Sequence, residues 1–484
     1  MKRFMRYGAI LFPLVPFLLL VNFGLAHASF TVEDERKLGK EFYETLEKSG
    51  ALIKEPRIND YVNAVGMRIV AQGSKSPFEF RFSVIKSSAI NAFATPGGYV
   101  YVNSGLITIM ENESQLAAVI AHETGHVKAR HVAQMIEQST KISIATLAAI
   151  IAGAVFGRGG DLTAAVTGFS MAGASSLSLK YSRDHEEEAD RLGMTYLTGA
   201  GYDGRTMPEF LRIMRQYEFY ASNVPSYFFT HPGTEERIQY LEALIETGHI
   251  PEGVTSIIGN FKRIQTMLFV RGADSASSLN HFQNNLKKNP DDVDDLYGLA
   301  LTQEKLGSIA ESQEIFQQAL KRSPDDANIL RDLGVSYFKS GKTDSAIFYL
   351  DRAFRIDGDD EDTLLYLGRA YIAAGQYKSA LDLFRRAEKK NIDDADIYYN
   401  LAMAYGKMDN PGDSHYNFGI YFKKKNKLES ALFHFQAALT FFPKESERAK
   451  DINKEIESLK KGNHPRPSAE RPIPSGRKRG KSAP

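Results

Sequence analysis

The second half of the chain repeats itself every 34 residues. Leu299, Leu333, Leu367 and Leu401 stand 34 apart, each followed by Ala or Gly. Phe282, Phe316, Leu350, Phe384 and Phe418 keep the same step, as do Tyr337, Tyr371 and Tyr405, and Ala319, Ala353 and Ala387. A unit of this length holds two short helices and cannot bury its apolar face alone, whereas stacked copies can. The period therefore commits this half to an all-α solenoid. Small residues let paired helices approach, and the aromatic and leucine positions fill the gap between them. The register slips near "MDNPGDSHYN" and restarts 17 residues on, from Phe418 to Phe435. One helix there is expected to serve two pairs.

These marker positions resemble the tetratricopeptide repeat, which implies a concave face that docks peptides or partner proteins. The repeats are assigned to 273–445, after a linker at 256–272. A terminal helix and a tail rich in Pro, Gly, Ser and basic residues follow at 446–484, the tail being expected to be disordered.

A chain of 484 residues has room for two or three domains. Its formal net charge of +1 offers no field for nucleic acid. The ends are basic and the body from 29 to 460 is acidic. There is no cysteine, which removes disulfides, thiol catalysis and thiolate metal sites and leaves His, Asp and Glu as ligands. Residues 1–28 have a basic start, an apolar stretch and an Ala26-His27-Ala28 end, the pattern of a signal peptide cleaved before Ser29. The alternative is an uncleaved anchor. Either way the body is exported, which in a bacterium means the periplasm.

The first half alternates element types. "TVEDERKLGKEFYETLEKSG" has a capping box and a glycine stop, so it reads as a helix, and a second helix runs from about 56 to 72. "FEFRFSVI" alternates as a strand. "NAFATPGGYVYVNSGLI" reads as strand, turn and strand, and a helix follows from about Glu113 to beyond His131. This is an α+β domain, 29–255, with a small antiparallel sheet. Residues 142–179 are nearly uncharged and too short for two full membrane spans. They are expected to form a helical hairpin that either packs on the core, or dips into a membrane leaflet as a peripheral contact or covers the active site.

The chemistry concentrates in "VIAHETGHVKARHV". His122 and His126 are four apart and share a helix face, so both can hold one ion. Glu123 lies beside them and can take a proton from water. His131, five residues past His126, sits off that face and reads as a packing or hydrogen-bonding residue. Downstream, "YSRDHEEEAD" sets Glu186 and Asp190 four apart on another helix. Glu186 can be the third ligand, and Asp190 can orient His122 through its other imidazole N–H.

With "NAFATPGGYVYVNSGL", "HETGHVKARH", "YSRDHEEEAD" and "THPGTEERI" in this order, the chain resembles the HtpX and CAAX-prenyl-protease-related zinc metallopeptidases, a gluzincin-type group. The resemblance covers about 31–250. With the leader and the repeats, it points to a periplasmic branch of that family. It implies a zinc endopeptidase with Zn²⁺ on His122, His126 and Glu186, and Glu123 as general base and later acid. It places His231 and Arg237 near the metal, where His231 either caps the open position or stabilises the oxyanion with Arg237. It makes Asn91, Ala92, Phe93 and Ala94 an edge strand that takes substrate backbone. The implied substrates are misfolded or stalled outer-membrane proteins, with the repeats reaching the outer-membrane assembly machinery. A rival expectation is a chaperone or adaptor whose zinc site is normally gated.

Overall fold

The computed structural model describes residues 30–138, 181–220, 227–390 and 395–462. The expected leader, the apolar stretch 142–179 and the basic tail beyond 462 lie outside these residues.

The first described element is α1 (Val32–Ser49), opened by the capping box that the sequence announces. Thr31 Oγ1 accepts the Asp34 N–H at 3.2 Å, and the Asp34 carboxylate accepts the Thr31 N–H at 2.9 Å. Gly50 ends the helix in the left-handed conformation. Next comes α2 (Pro56–Val70), with its proline in the first turn, where no N–H is needed.

Three strands follow: β1 (Arg81–Ile85), β2 (Ala92–Thr95) and β3 (Tyr99–Asn103), in the order β1-β3-β2. The sheet is mixed, which corrects the antiparallel expectation. β3 pairs antiparallel with β2 but parallel with β1, Arg81 lying opposite Tyr99 and Ile85 opposite Asn103. The chain reverses twice, once on each side of β2, so β1 and β3 run the same way with β3 in the middle. β1 also starts later than the alternating pattern suggests. β3 begins only at Tyr99, after Gly97 and Gly98 turn the chain at φ 85° and 97°, so residues 78–80 have no strand to pair with.

The rest of this half is helical: α3 (Ser104–Ile109), α4 (Glu113–Lys128), α5 (His131–Gln138), α6 (Arg183–Gly199), α7 (Thr206–Tyr220), α8 (Tyr227–Thr230) and α9 (Thr234–Thr247). Every residue of α4 up to Val127 is buried, so this helix is the axis of the domain. The single helix expected to pass His131 is two helices. Arg130 takes φ 57° between them, and its side chain ties the break to the N-terminal side of α1, donating to Glu35 Oε1 at 2.6 Å and to the Phe30 carbonyl at 3.0 Å.

Residues 256–272 are more than a linker. They hold α10 (Phe261–Gly272), which buries Phe261, Ile264, Met267, Leu268 and Val270 against α3 and the first repeats. Glu113, the first residue of α4, anchors the approach to α10. Its fully buried carboxylate accepts from Tyr61 Oη, Tyr202 Oη and Ser256 Oγ, and from the backbone N–H groups of Ile257, Ile258 and Gly259, at 2.7–3.2 Å.

The solenoid is α11 (Ser275–Lys288), α12 (Val293–Leu306), α13 (Ile309–Arg322), α14 (Ala327–Lys339), α15 (Thr343–Ile356), α16 (Glu361–Ala373), α17 (Tyr377–Lys389), α18 (Ala395–Lys407), α19 (Pro411–Lys424) and α20 (Leu428–Leu439), followed by α21 (Glu447–Gly462). Phe282, Phe316, Leu350 and Phe384, one period apart, are buried between helices. Helix α19 packs on both α18 and α20, so one helix does serve two pairs where the register slips.

One apolar core runs without interruption from Ile58 in α2 to Tyr405 in α18. A separate small cluster, Ala431 to Leu459, holds α20 and α21 together. Charge joins the halves as well. Arg57 of α2 donates to Tyr297 Oη at 2.9 Å and to Asp332 Oδ2 at 3.1 Å, and Arg331 donates to Asp332 Oδ1 at 2.9 Å and to Asp360 at 2.8 Å. Burial alone would push the Asp332 carboxyl up, but the Arg331 and Arg57 charges outweigh it and hold it far below the usual range. Among the described residues, no helix is long and apolar enough to cross a membrane.

Candidate metal centre

α4 and α6 approach until backbone touches backbone. A Cβ on Gly125 would lie 2.7 Å from the Ala189 carbonyl oxygen, and one on Gly193 would lie 3.1 Å from the His122 backbone. Only glycine permits this spacing. It brings the first turn of α6, capped by Ser182 Oγ accepting the His185 N–H, onto the two histidines of α4.

His122 Nε2 and His126 Nε2 stand 3.0 Å apart. Glu186 reaches in from α6, Oε1 at 3.4 Å from His126 Nε2 and Oε2 at 3.5 Å from His122 Nε2. His231, just past α8, brings Nδ1 to 3.3 Å from His122 Nε2 and 3.1 Å from Glu186 Oε1. All four residues are buried, and one ligand atom from each falls within 4.8 Å of the others.

The tautomers follow from the outer partners. Asp190 Oδ1 takes the Nδ1–H of His122 at 2.8 Å, which leaves Nε2 of His122 a bare acceptor. Glu188 Oε2 takes the Nε2–H of His131 at 3.1 Å, so His131 Nδ1 accepts from His126 Nδ1–H at 2.8 Å. His126 Nε2 is then bare too. Two facing lone pairs beside a carboxylate suit a cation, and these residues form a cluster that can hold a metal ion. Burial holds the His126 pKa well below its ordinary value, in the neutral form a ligand needs.

Glu123 is fully buried with neither carboxylate oxygen hydrogen-bonded among the described residues, and burial pushes its pKa up. His231 Nε2 lies 3.5 Å from its Oε1. Arg237 of α9 grips Asp190 with two bonds, Nε to Oδ2 at 2.8 Å and Nη2 to Oδ1 at 2.7 Å, and sets Nη1 2.7 Å from Glu186 Oε2. Burial would raise the Asp190 and Glu186 carboxyls. For Asp190 the Arg237 charge and the His122 bond outweigh burial, and for Glu186 the His231 and Arg237 charges do, so both stay ionised. His122, Glu123, His126, Glu186, Asp190, His231 and Arg237 thus meet in one site.

The proposed substrate strand is at the sheet edge, β2, with Asn91 immediately before it. All of β2 is buried. The Ile90 carbonyl accepts the Tyr227 N–H at 3.3 Å, so the segment that carries His231 hangs from this same edge. The sequence reading missed two aromatic walls. Tyr181 stacks on His126 with ring centroids 3.8 Å apart, and Tyr227 on His231 at 4.4 Å. Tyr181 lies far from His126 in the chain, so no spacing signals it, whereas Tyr227 stands four residues before His231, a one-turn spacing that could have found it.

Residues 56–245 match peptidase family M48, and residues 297–361 and 337–404 match tetratricopeptide repeat families. The chain carries an M48 peptidase domain followed by tetratricopeptide repeats. A putative beta-barrel assembly-enhancing protease of Vibrio cholerae is 35 % identical over 215 residues, 44 % of each chain. The beta-barrel assembly-enhancing protease of Escherichia coli K12 is 34 % identical over 217 residues, again 44 % of each. The mitochondrial metalloendopeptidase OMA1 of Schizosaccharomyces pombe is 32 % identical over 182 residues, 38 % of this chain and 51 % of that one. The chain thus spans less than half the length of the bacterial relatives it matches. The M48 match encloses every residue of the metal centre.

Proposed function

We propose that this protein is a zinc-dependent endopeptidase of the bacterial periplasm. Its substrates would be misfolded or stalled outer-membrane proteins, and its repeats would dock substrate or the assembly machinery. The buried Glu123 carboxylate carries the reading: both its oxygens lack a partner among the described residues, and it adjoins the metal-binding cluster. The leader-like N-terminus and the name of the bacterial relatives support the compartment and the substrate class.

His122, His126 and Glu186 would hold the ion. Zinc bound there supplies Lewis-acid polarisation of a carbonyl and acidifies a water. Glu123 would take a proton from the attacking water at Oε1 and pass it to the leaving amide nitrogen. A carboxyl raised by burial suits both steps. Asp190 and Arg237 keep His122 in the ligating tautomer, and Arg237 keeps Glu186 ionised. Substrate backbone pairs with β2 from Asn91 to Ala94.

A second reading is a chaperone or adaptor with a gated zinc site. It is favoured by His231, whose Nδ1 lies among the ligand atoms where a water or substrate would sit.

The test compares residues 29–484 with the Glu123→Gln variant, both zinc-loaded, on an unfolded outer-membrane protein. Cleavage by the first and not by the second is expected. No cleavage by either, with zinc bound to both, would favour the gated reading.

A further inference from the structure

The outer edge of β2 meets a segment of its own chain. Asn103 N–H donates to the Asn91 carbonyl at 3.0 Å, and the register continues from Ala92 opposite Val102 to Thr95 opposite Tyr99. In antiparallel pairing, successive residues turn their backbone groups alternately toward the partner strand and away from it. Asn91, Phe93 and Thr95 therefore face β3. The backbone groups of Ala92 and Ala94, and the carbonyl of Ile90, point off the edge. A substrate strand would pair with these groups. The Ile90 carbonyl is already taken, by the Tyr227 N–H at 3.3 Å. All of β2 is buried, so this edge is closed.

The same tyrosine carries His231. Its carbonyl accepts the His231 N–H at 2.8 Å, and its buried ring lies against the imidazole with 22° between the planes. That platform sets His231 Nδ1 beside His122 Nε2 and Glu186 Oε1. A second tie, from the Tyr181 N–H to the Thr230 carbonyl at 3.1 Å, fixes the backbone next to His231. Tyr227 therefore governs the imidazole ring rather than the backbone that bears it. Its bond to Ile90 is the longest of these three ties, beyond the usual length of about 2.9–3.0 Å. Exchanging it for the N–H of an added strand replaces one hydrogen bond by another, at little cost.

We infer that Tyr227 is a positioning residue through which the substrate opens the site: a strand that pairs along β2 and takes the Ile90 carbonyl displaces the Tyr227 N–H, and the stacked His231 ring leaves the ligand atoms. The inference rests on the reading of β2 as the substrate strand and of the cluster as a zinc site. It also defines the substrate class. Only a chain extended far enough to pair from Ala94 back to Ile90 reaches the Tyr227 bond. An unfolded segment offers such a stretch, and a short peptide or a compact fold does not.

The test uses the full Glu123→Gln chain, so that bound peptide stays intact, and measures zinc affinity by chelator competition. Two fluorescein-labelled, C-terminally amidated peptides are compared, Thr-Val-Thr and Lys-Thr-Val-Thr-Val-Thr-Lys, with binding followed by anisotropy. The long peptide at saturation is expected to weaken zinc binding about tenfold, and the short one to leave it unchanged. The weakening should vanish in His231→Ala and in Tyr227→Ala and persist in Tyr227→Phe, which keeps the ring and the N–H. Thermal midpoints of the metal-free variants check that they fold, and His231→Ala carries the comparison if Tyr227→Ala does not. A long peptide that fails to bind, or that binds with zinc affinity unchanged, would overturn the inference. So would an equal effect of the short peptide, or an effect that survives His231→Ala. In each of these cases zinc binding itself leaves the metallopeptidase reading standing, whereas a chain that holds no zinc would sink both.

Discussion

Gly125→Ala probes the close approach that builds the metal centre. The added Cβ would lie 2.7 Å from the Ala189 carbonyl oxygen, whereas ordinary contact begins at 3.4 Å. The obstacle is backbone, so it cannot swing aside, and α4 and α6 must part by about 0.7 Å, the difference between these distances. Stability should change little. Alanine in place of glycine favours the helix by about 1 kcal/mol, and overpacking costs about 1–3 kcal/mol. The site should suffer far more. His122 and His126 ride on α4 and Glu186 and Asp190 on α6, so the shift separates the ligands directly. A misplacement near 1 Å costs on the order of a hundredfold in rate, so a loss of roughly ten- to a hundredfold is expected here. Zinc affinity by chelator competition and cleavage rate would be measured beside the thermal midpoint of the metal-free proteins. A variant with rate and affinity within about twofold of the parent would refute the claim that this contact sets the ligand geometry.

His231→Ala should raise proteolysis, because it clears the position among the ligand atoms; a fall in rate on the same substrate would make His231 part of the transition-state machinery instead. Glu113→Gln should lower stability by about 3 kcal/mol at neutral pH, since six donors lose a charged acceptor. Burial would raise this carboxyl, but the backbone and tyrosine bonds depress it below 4.5, so its stabilisation is complete above that pH and fades as pH falls through the folded value. Denaturant midpoints at neutral and acid pH should therefore converge between parent and variant as the solution is acidified. Arg57→Ala should cost about 3 kcal/mol by leaving Asp332 with one cation fewer, which chemical denaturation would measure.

The residues of the candidate site were legible in the sequence where their spacings are helical. His122 with His126, and Glu186 with Asp190, are each one turn apart, and a turn puts them on one face. The solenoid was legible for a similar reason, since Phe282, Phe316, Leu350 and Phe384 recur wherever one helix pair meets the next. Arg130 shows where this stops. Its positive φ is fixed by Glu35 and the Phe30 carbonyl, far away in the chain, so no local pattern warns of the break. The parallel pairing of β1 with β3 was hidden likewise, because period-two alternation is the same for either strand direction. Glu113 looked like an ordinary first-turn acid, and its six donors come from three separate segments. His131 reads from the sequence as a packing or hydrogen-bonding residue, and its place between Glu188 and His126 emerged only from the geometry.

The small apolar cluster that binds α20 to α21 stands apart from the core that unites everything from α2 to α18. Cooperativity follows packing, so the peptidase half and the early repeats should open as one unit while the last helices open on their own. In hydrogen exchange, amides of Leu428–Leu439 and Glu447–Gly462 should lose protection well before those of α4. The far end of the solenoid can then melt and re-form without disturbing the metal centre, a loose grip carried on a rigid blade.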